Sequence, residues 1–198
     1  VANDHVGLPV LLHFLDGLSA DTVAAEHRQW AARCAGPLAP ADPQFPNVPD
    51  PGKRLRVGYV SPHFHRHPVG RLLLKLFENA DPREVEVFCY SGGSQSDDVT
   101  ALLQRGASHW IDIRNLSDAA LADRIRTDRI DILVDLTMHM AGNRLLAFAL
   151  RPAPVQITYL AYVSTTGLPT MDYRLTDFHL DPPPRRLAER HARHRQDS

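Results

Sequence analysis

Cysteine is scarce in this sequence. Cys34 and Cys89 are the only two, one near a proline-rich stretch and the other inside an apolar run, which speaks against both a disulfide framework and a cysteine metal site. A reducing compartment is the expectation. Long hydrophobic runs are also missing: none approaches the roughly 18 residues needed to cross a bilayer, and the opening stretch VANDHVGLPVLLHFLDG lacks the basic region of a signal peptide. The chain therefore reads as soluble and cytoplasmic, with no membrane partner. Neither sign of charge dominates, with 22 Lys+Arg against 23 Asp+Glu, so no whole-molecule field points to nucleic acid. Three chemical signatures are absent as well. Neither GxGxxG nor GxxxxGK[ST] follows the first apolar run, and no GxSxG occurs, which argues against a Rossmann dinucleotide cradle, a P-loop and a hydrolase elbow.

What the chain does have is organised around Arg54 to Phe77, RLRVGYVSPHFHRHPVGRLLLKLF. Leu55, Val57 and Tyr59 alternate with Arg54, Arg56 and Gly58, and Val60 adds a second apolar face, the pattern of a largely buried strand. Pro62 and Pro68 bracket a polar loop, after which Leu72, Leu73, Leu76 and Phe77 recur at helical spacing. In open α/β sheets ligands bind at the carboxyl ends of strands, so the loop PHFHRHP is the first place to look for chemistry.

The alternation continues downstream. Val85 to Tyr90 reads as a strand, Asp98 to Gln104 as a helix, His109 to Ile113 as a strand, and a helix capped by Ser117 runs to Thr127. Ile132 to Leu136 is a nearly unbroken apolar run, as expected of a central parallel strand. A helix over Arg144 to Leu150 follows, then strands over Val155 to Tyr162 and Tyr173 to Thr176. Repeated strand-helix alternation implies an α/β, Rossmann-like, doubly wound and mostly parallel sheet. Before it, Ser19 offers an N-cap for a helix over Ala20 to Cys34, and six prolines between Gly36 and Gly52 indicate an extended connector. The expected organisation is an N-terminal helical accessory segment (1–35), a linker (36–53), the α/β lobe (54–181) and a basic, disordered tail (182–198).

His63, His65 and His67 alternate, a spacing that zinc or nickel sites use. No nearby cysteine completes a set, and the flanking prolines favour an irregular loop, so solvated or hydrogen-bonding histidines are expected and no metal. His139, Asn143 and the Thr165-Thr166-Gly167 turn fall on loops at the same sheet edge as His67. For these the expectation is structural, with Asn143 capping the following helix.

Three blocks, GYVSPHFHRHPVG, FALRPAPVQITYLAYVSTTG and MDYRLTD, resemble successive parts of the catalytic region of protein O-GlcNAc transferases, including bacterial homologues and SPINDLY-type O-fucosyltransferases. A weaker echo lies in LSADTVAAEHRQW. The resemblance covers residues 54–181. It implies the first lobe of a GT-B glycosyltransferase, inverting and metal-independent, that moves N-acetylglucosamine from UDP-GlcNAc to Ser/Thr hydroxyls of an acceptor protein.

By that resemblance His67 is the active-site histidine and Pro68 stands beside it. Leu160 and Ala161 line the sugar pocket, and His5 is the nearest candidate for a second family histidine in the accessory region. His63 occupies the position of a family aspartate on the proton route, and Ala161 that of a glycine. Neither the family's second lobe, with its lysine at the diphosphate, nor a tetratricopeptide array is recognisable here, so the stretch alone is expected to be inactive. A non-catalytic binding module, or a degenerate or truncated homologue, is the alternative.

Overall fold

The computed structural model describes residues 8–160, 162–177 and 179. Six strands form one parallel sheet: β1 (Leu55–Ser61), β2 (Val85–Ser91), β3 (His109–Asp112), β4 (Ile132–Asp135), β5 (Val155–Tyr159) and β6 (Tyr173–Leu175). Their order is β3-β2-β1-β4-β5-β6, the doubly wound order in which the chain reverses direction across the sheet between its first and fourth strands. The expected α/β Rossmann-like fold is what the chain adopts.

Side-chain alternation on β1 divides the core into two layers. Val57 and Tyr59 face α3 (Pro68–Glu78) and α4 (Asp98–Gly106), packing with Val69, Leu73, Phe77, Val99 and Leu103. Val60 faces the opposite way, into a layer with Leu121 and Ile125 of α5 (Asp118–Thr127) and Leu145 and Phe148 of α6 (Leu145–Ala149). Helices thus cover both faces, which is why Leu133 and Val134 of β4 are both buried.

Ahead of the sheet lie α1 (Leu8–Leu11), a 3-10 turn at Leu12–Phe14 and α2 (Ala20–Trp30). The Ser19 side chain accepts from the Thr22 N–H, as expected of the N-cap, but the last turn of the anticipated helix opens into a π-turn at Ala31–Ala35. Trp30, Ala31 and Ala35 join the α5/α6 layer, so the end of the accessory segment is docked on the sheet.

Several boundaries differ from expectation. α3 begins at Pro68, four residues before its leucine run, because Pro is tolerated in the first helical turn and Gly70 allows close packing. A Cβ at Gly70 would collide with the His65 carbonyl, so the loop folds back on the helix it feeds. Leu55 is exposed despite its place in the alternation, since it starts β1 at the sheet margin. β5 stops at Tyr159 rather than Tyr162, as Leu160 adopts φ +63° and leaves the extended region. α6 starts at Leu145 with Arg144 at its N-cap and no side-chain cap bond, so the expected N-cap Asn143 lies one residue before that position, where its Oδ1 accepts from the Leu145 N–H.

The connector opens with a 3-10 turn at Gly36–Leu38 and then has no regular structure up to Asp50. It is tethered to the amino end of the sheet. The Asn47 amide donates to the carbonyls of Arg129 and Ile130 and to Asp131, whose carboxylate also takes Lys53 and the Arg56 N–H. His5, Ala161 and the expected tail over 182–198 lie outside the described residues, as do 178, 180 and 181 at the end of the expected lobe.

Candidate active site

The loops after β1 and β4 meet where the sheet reverses, the crevice in which doubly wound folds bind ligands. Gly142, with φ +76°, brings the β4 loop so close to the β1 loop that a Cβ would stand 3.1 Å from the Pro62 ring.

His67 is the residue before α3, and its Nδ1 accepts from the Val69 N–H at 3.2 Å, capping the helix. Pro68 follows in the first turn, where it presets φ and has no N–H to leave unpaired. A nitrogen that accepts carries no proton, so the neutral His67 ring holds its proton on Nε2. It is presented as a hydrogen-bond donor. Burial and the nearby His65 depress its pKa, which keeps the ring neutral at physiological pH.

His63 stacks on His67, with ring centroids 4.2 Å apart and planes 15° from parallel. Its Nε2 is buried without a partner, and burial, followed by the neighbouring His67 and His65, lowers its pKa to about 4. Two neutral rings therefore stand face to face. Among the described residues no group of three or more His, Cys, Asp or Glu side chains is placed to hold a metal ion.

A cleft of about 740 Å³ opens at the carboxyl ends of β4, β5 and β6, between Leu72 on α3 and Leu160, Tyr162 and Val163. Leu160 also packs against the layer that holds Val69 and Leu73, and with Leu72 of α3 it lines the cleft. His67 does not line this cleft but caps the helix that walls it. The structure thus joins His63, His67 and Pro68 in one group and places Leu160 in the lining of the cleft.

Behind the cleft is a cluster that sequence reasoning did not assemble. His27 of α2 is fully buried, its Nδ1 2.7 Å from the Val23 carbonyl and its Nε2 2.8 Å from the Tyr162 hydroxyl. His139 packs edge-on against His27 and Trp30 and its Nε2 donates to the Thr166 carbonyl at 2.9 Å. Its Nδ1 stays unpartnered, and burial lowers its pKa to about 4. His13 brings a fifth ring, 5.1 Å from Tyr162. The signal for His27 was its place in the echo LSADTVAAEHRQW; its partner is 135 positions away and no spacing rule reaches so far.

Asp135 at the end of β4 supports the same region. Its carboxylate accepts from the Thr137 and Met138 N–H groups and the Thr158 hydroxyl. Complete burial outweighs those bonds and raises its pKa to about 6.

The profile of Glycosyl transferase family 41 matches residues 10–193. The chain belongs to this family. Over 168 residues it is 39% identical to the probable UDP-N-acetylglucosamine–peptide N-acetylglucosaminyltransferase SPINDLY of Arabidopsis thaliana, covering 82% of this chain and 18% of that protein. The Caenorhabditis elegans UDP-N-acetylglucosamine–peptide N-acetylglucosaminyltransferase is 38% identical over 128 residues, 64% of this chain and 11% of the relative. A mutant of the Thermobaculum terrenum O-GlcNAc transferase superposes with a TM-score of 0.86 at 45% identity, over 92% of this chain and 35% of that one. The chain spans less than a fifth of the curated relatives. As a family 41 stretch, its doubly wound sheet and the order of its sequence blocks agree with the resemblance drawn from the residues.

Proposed function

We propose that residues 54–181 form the N-terminal lobe of a protein O-glycosyltransferase that moves N-acetylglucosamine from UDP-GlcNAc to Ser/Thr hydroxyls. The observation that carries this reading is His67, held by Val69 at the head of α3, beside the sheet reversal and behind one wall of the cleft. In the reaction the acceptor oxygen attacks the anomeric carbon, the bond from that carbon to the diphosphate breaks, and the hydroxyl proton passes to a base. A preset donor such as His67 Nε2–H stabilises negative charge that grows on an oxygen at the reacting centre, a contribution that needs no reorganisation. The reading invokes no metal.

A second lobe is needed in this scheme to compensate charge on the departing diphosphate, so the described stretch alone should transfer nothing. Two unpaired cysteines are in keeping with action in the cytoplasm. The specific observation favouring a non-catalytic binding module is His63, which replaces a carboxylate of the family pattern and buries a nitrogen without a partner.

The test is transfer from UDP-GlcNAc to an acceptor peptide, assayed on the stretch alone and joined to a related second lobe. Activity is expected only in the joined form, and His67→Ala should reduce its turnover on the order of 10²–10³-fold. Turnover by the stretch alone would overturn the lobe assignment. A joined form that binds UDP-GlcNAc without transferring it would favour the binding module.

A further inference from the structure

We propose that His27 is a positioning residue for the cleft: by accepting the Tyr162 hydroxyl proton it fixes the segment after β5, whose Leu160 and Tyr162 form a wall for the nucleotide sugar. The assignment of that ligand rests on the transferase reading above, whereas the anchor itself does not.

The direction of the bond follows from the partners. A carbonyl oxygen can only accept, so the Nδ1 that faces Val23 O at 2.7 Å carries the proton and Nε2 is bare. The Tyr162 phenol, 2.8 Å away, is then the donor. Burial lowers the pKa of His27 and raises that of Tyr162 to about 12, so both are neutral and the bond keeps one orientation at physiological pH.

The segment needs such an anchor. Leu160 has φ +63°, a left-handed conformation that costs a residue with a Cβ about 1–2 kcal/mol unless its surroundings impose it. Residues 162–168 contribute no helix or strand of their own. What fixes them is contact with the accessory helix and the β4 loop. Tyr162 bonds His27, the Thr166 carbonyl accepts from His139, and Gly167 approaches the His27 carbonyl so closely that a Cβ would collide with it. Tyr162 and Leu160 both line the cleft, and the Tyr162 N–H donates to the Leu160 carbonyl. A residue that touches no substrate thereby sets the position of two that line its cleft.

Hydrogen exchange on this chain, with donor kinetics on the form joined to a second lobe, tests the proposal. His27→Ala and His27→Asn should speed exchange of amides 162–168 about 3–10-fold, the equivalent of one buried hydrogen bond, and leave amides 55–78 unchanged. His27→Gln should restore protection, because its side-chain oxygen reaches where Nε2 stands, while Asn reaches only Nδ1. Tyr162→Phe should match His27→Ala, and the double variant should add nothing. In the joined form KM for UDP-GlcNAc should rise by the same about 3–10-fold in Ala and Asn, with kcat changing less and Gln near wild type. Equal loss of protection over 55–78, or a Gln variant no better than Ala, would overturn the anchor. If the wild-type joined form transfers nothing, the transferase reading fails while the exchange data still decide the anchor.

Discussion

Two aspartates on one short stretch of chain mark the ends of β4, and their surroundings are opposite. Asp131, at the amino end, is met by Lys53, Asn47 and the Arg56 N–H; burial raises its pKa, but these donors more than offset it and the net shift is downward. Asp135, at the carboxyl end, is completely buried with neutral donors only, and its pKa is raised to about 6. Around Asp131 the connector is clamped to the sheet. Near Asp135, Thr137 and His139 each bury a polar atom with no partner, and His63 does the same on the neighbouring β1 loop. The Asp131 carboxylate is thus satisfied and holds the chain together, whereas the loops after β1 and β4 keep unspent hydrogen-bonding capacity, as Gln156 and Thr170 also do nearer the amino end.

The largest effect that would break this contrast is on stability. Asp131→Ala strands a lysine, an amide and a backbone N–H, and should destabilise by roughly 2–4 kcal/mol. Asp135→Asn keeps the shape of a carboxyl that already resists ionisation and should lose roughly 1 kcal/mol. Urea unfolding of both variants decides the order, and the contrast fails if Asp135→Asn is the more damaging.

Acid sharpens the comparison by about the same amount or less. Asp131 has a depressed folded pKa, so its contribution is present above its unfolded value and is lost as pH falls below about 4. His63 and His139, lowered to about 4, contribute above about 6.5 and lose that contribution as pH falls towards 4. Asp135 has the opposite sign: raised to about 6, its contribution is full below about 4 and disappears as pH rises through 6. Between pH 6.5 and 4 the histidines and Asp135 therefore oppose one another. Unfolding free energy measured across that window should fall more steeply in Asp135→Asn than in wild type, and less steeply in His139→Gln, by up to about 3 kcal/mol for a shift of this size in a fully buried group. Parallel curves for all three proteins would show that the carboxyl end does not titrate as described.

The smallest expected effect is on chemistry. In the joined form, His63→Asp puts an ionised carboxylate beside His67 where a neutral ring now stacks, and turnover should rise about tenfold, less than the roughly 10²–10⁴-fold of full general acid-base assistance. Ala161→Gly offers a second background for the same measurement. No change on either background would make His63 a tolerated loop residue rather than part of a proton route.

Local pattern carried much of this molecule. The alternation in Leu55–Val60, the apolar run Ile132–Leu136 and the Ser19 and Ser117 caps are readable because backbone geometry dictates their spacing within a few residues, and the order of such units implies the parallel sheet. His67 and Pro68 stand out by resemblance to a family motif, and their place as N-cap and first residue of α3 emerged only with the structure. Tertiary structure alone decided the rest. The stacking of His63 on His67, the left-handed turn at Leu160 and the bond from Tyr162 to His27 arise when separate segments meet, and buried polar atoms find or miss partners only once the chain has closed around them. The same residue type, aspartate, became a clamp at position 131 and a reluctant acid at 135 because charge responds to the donors and solvent that the whole fold assembles around it.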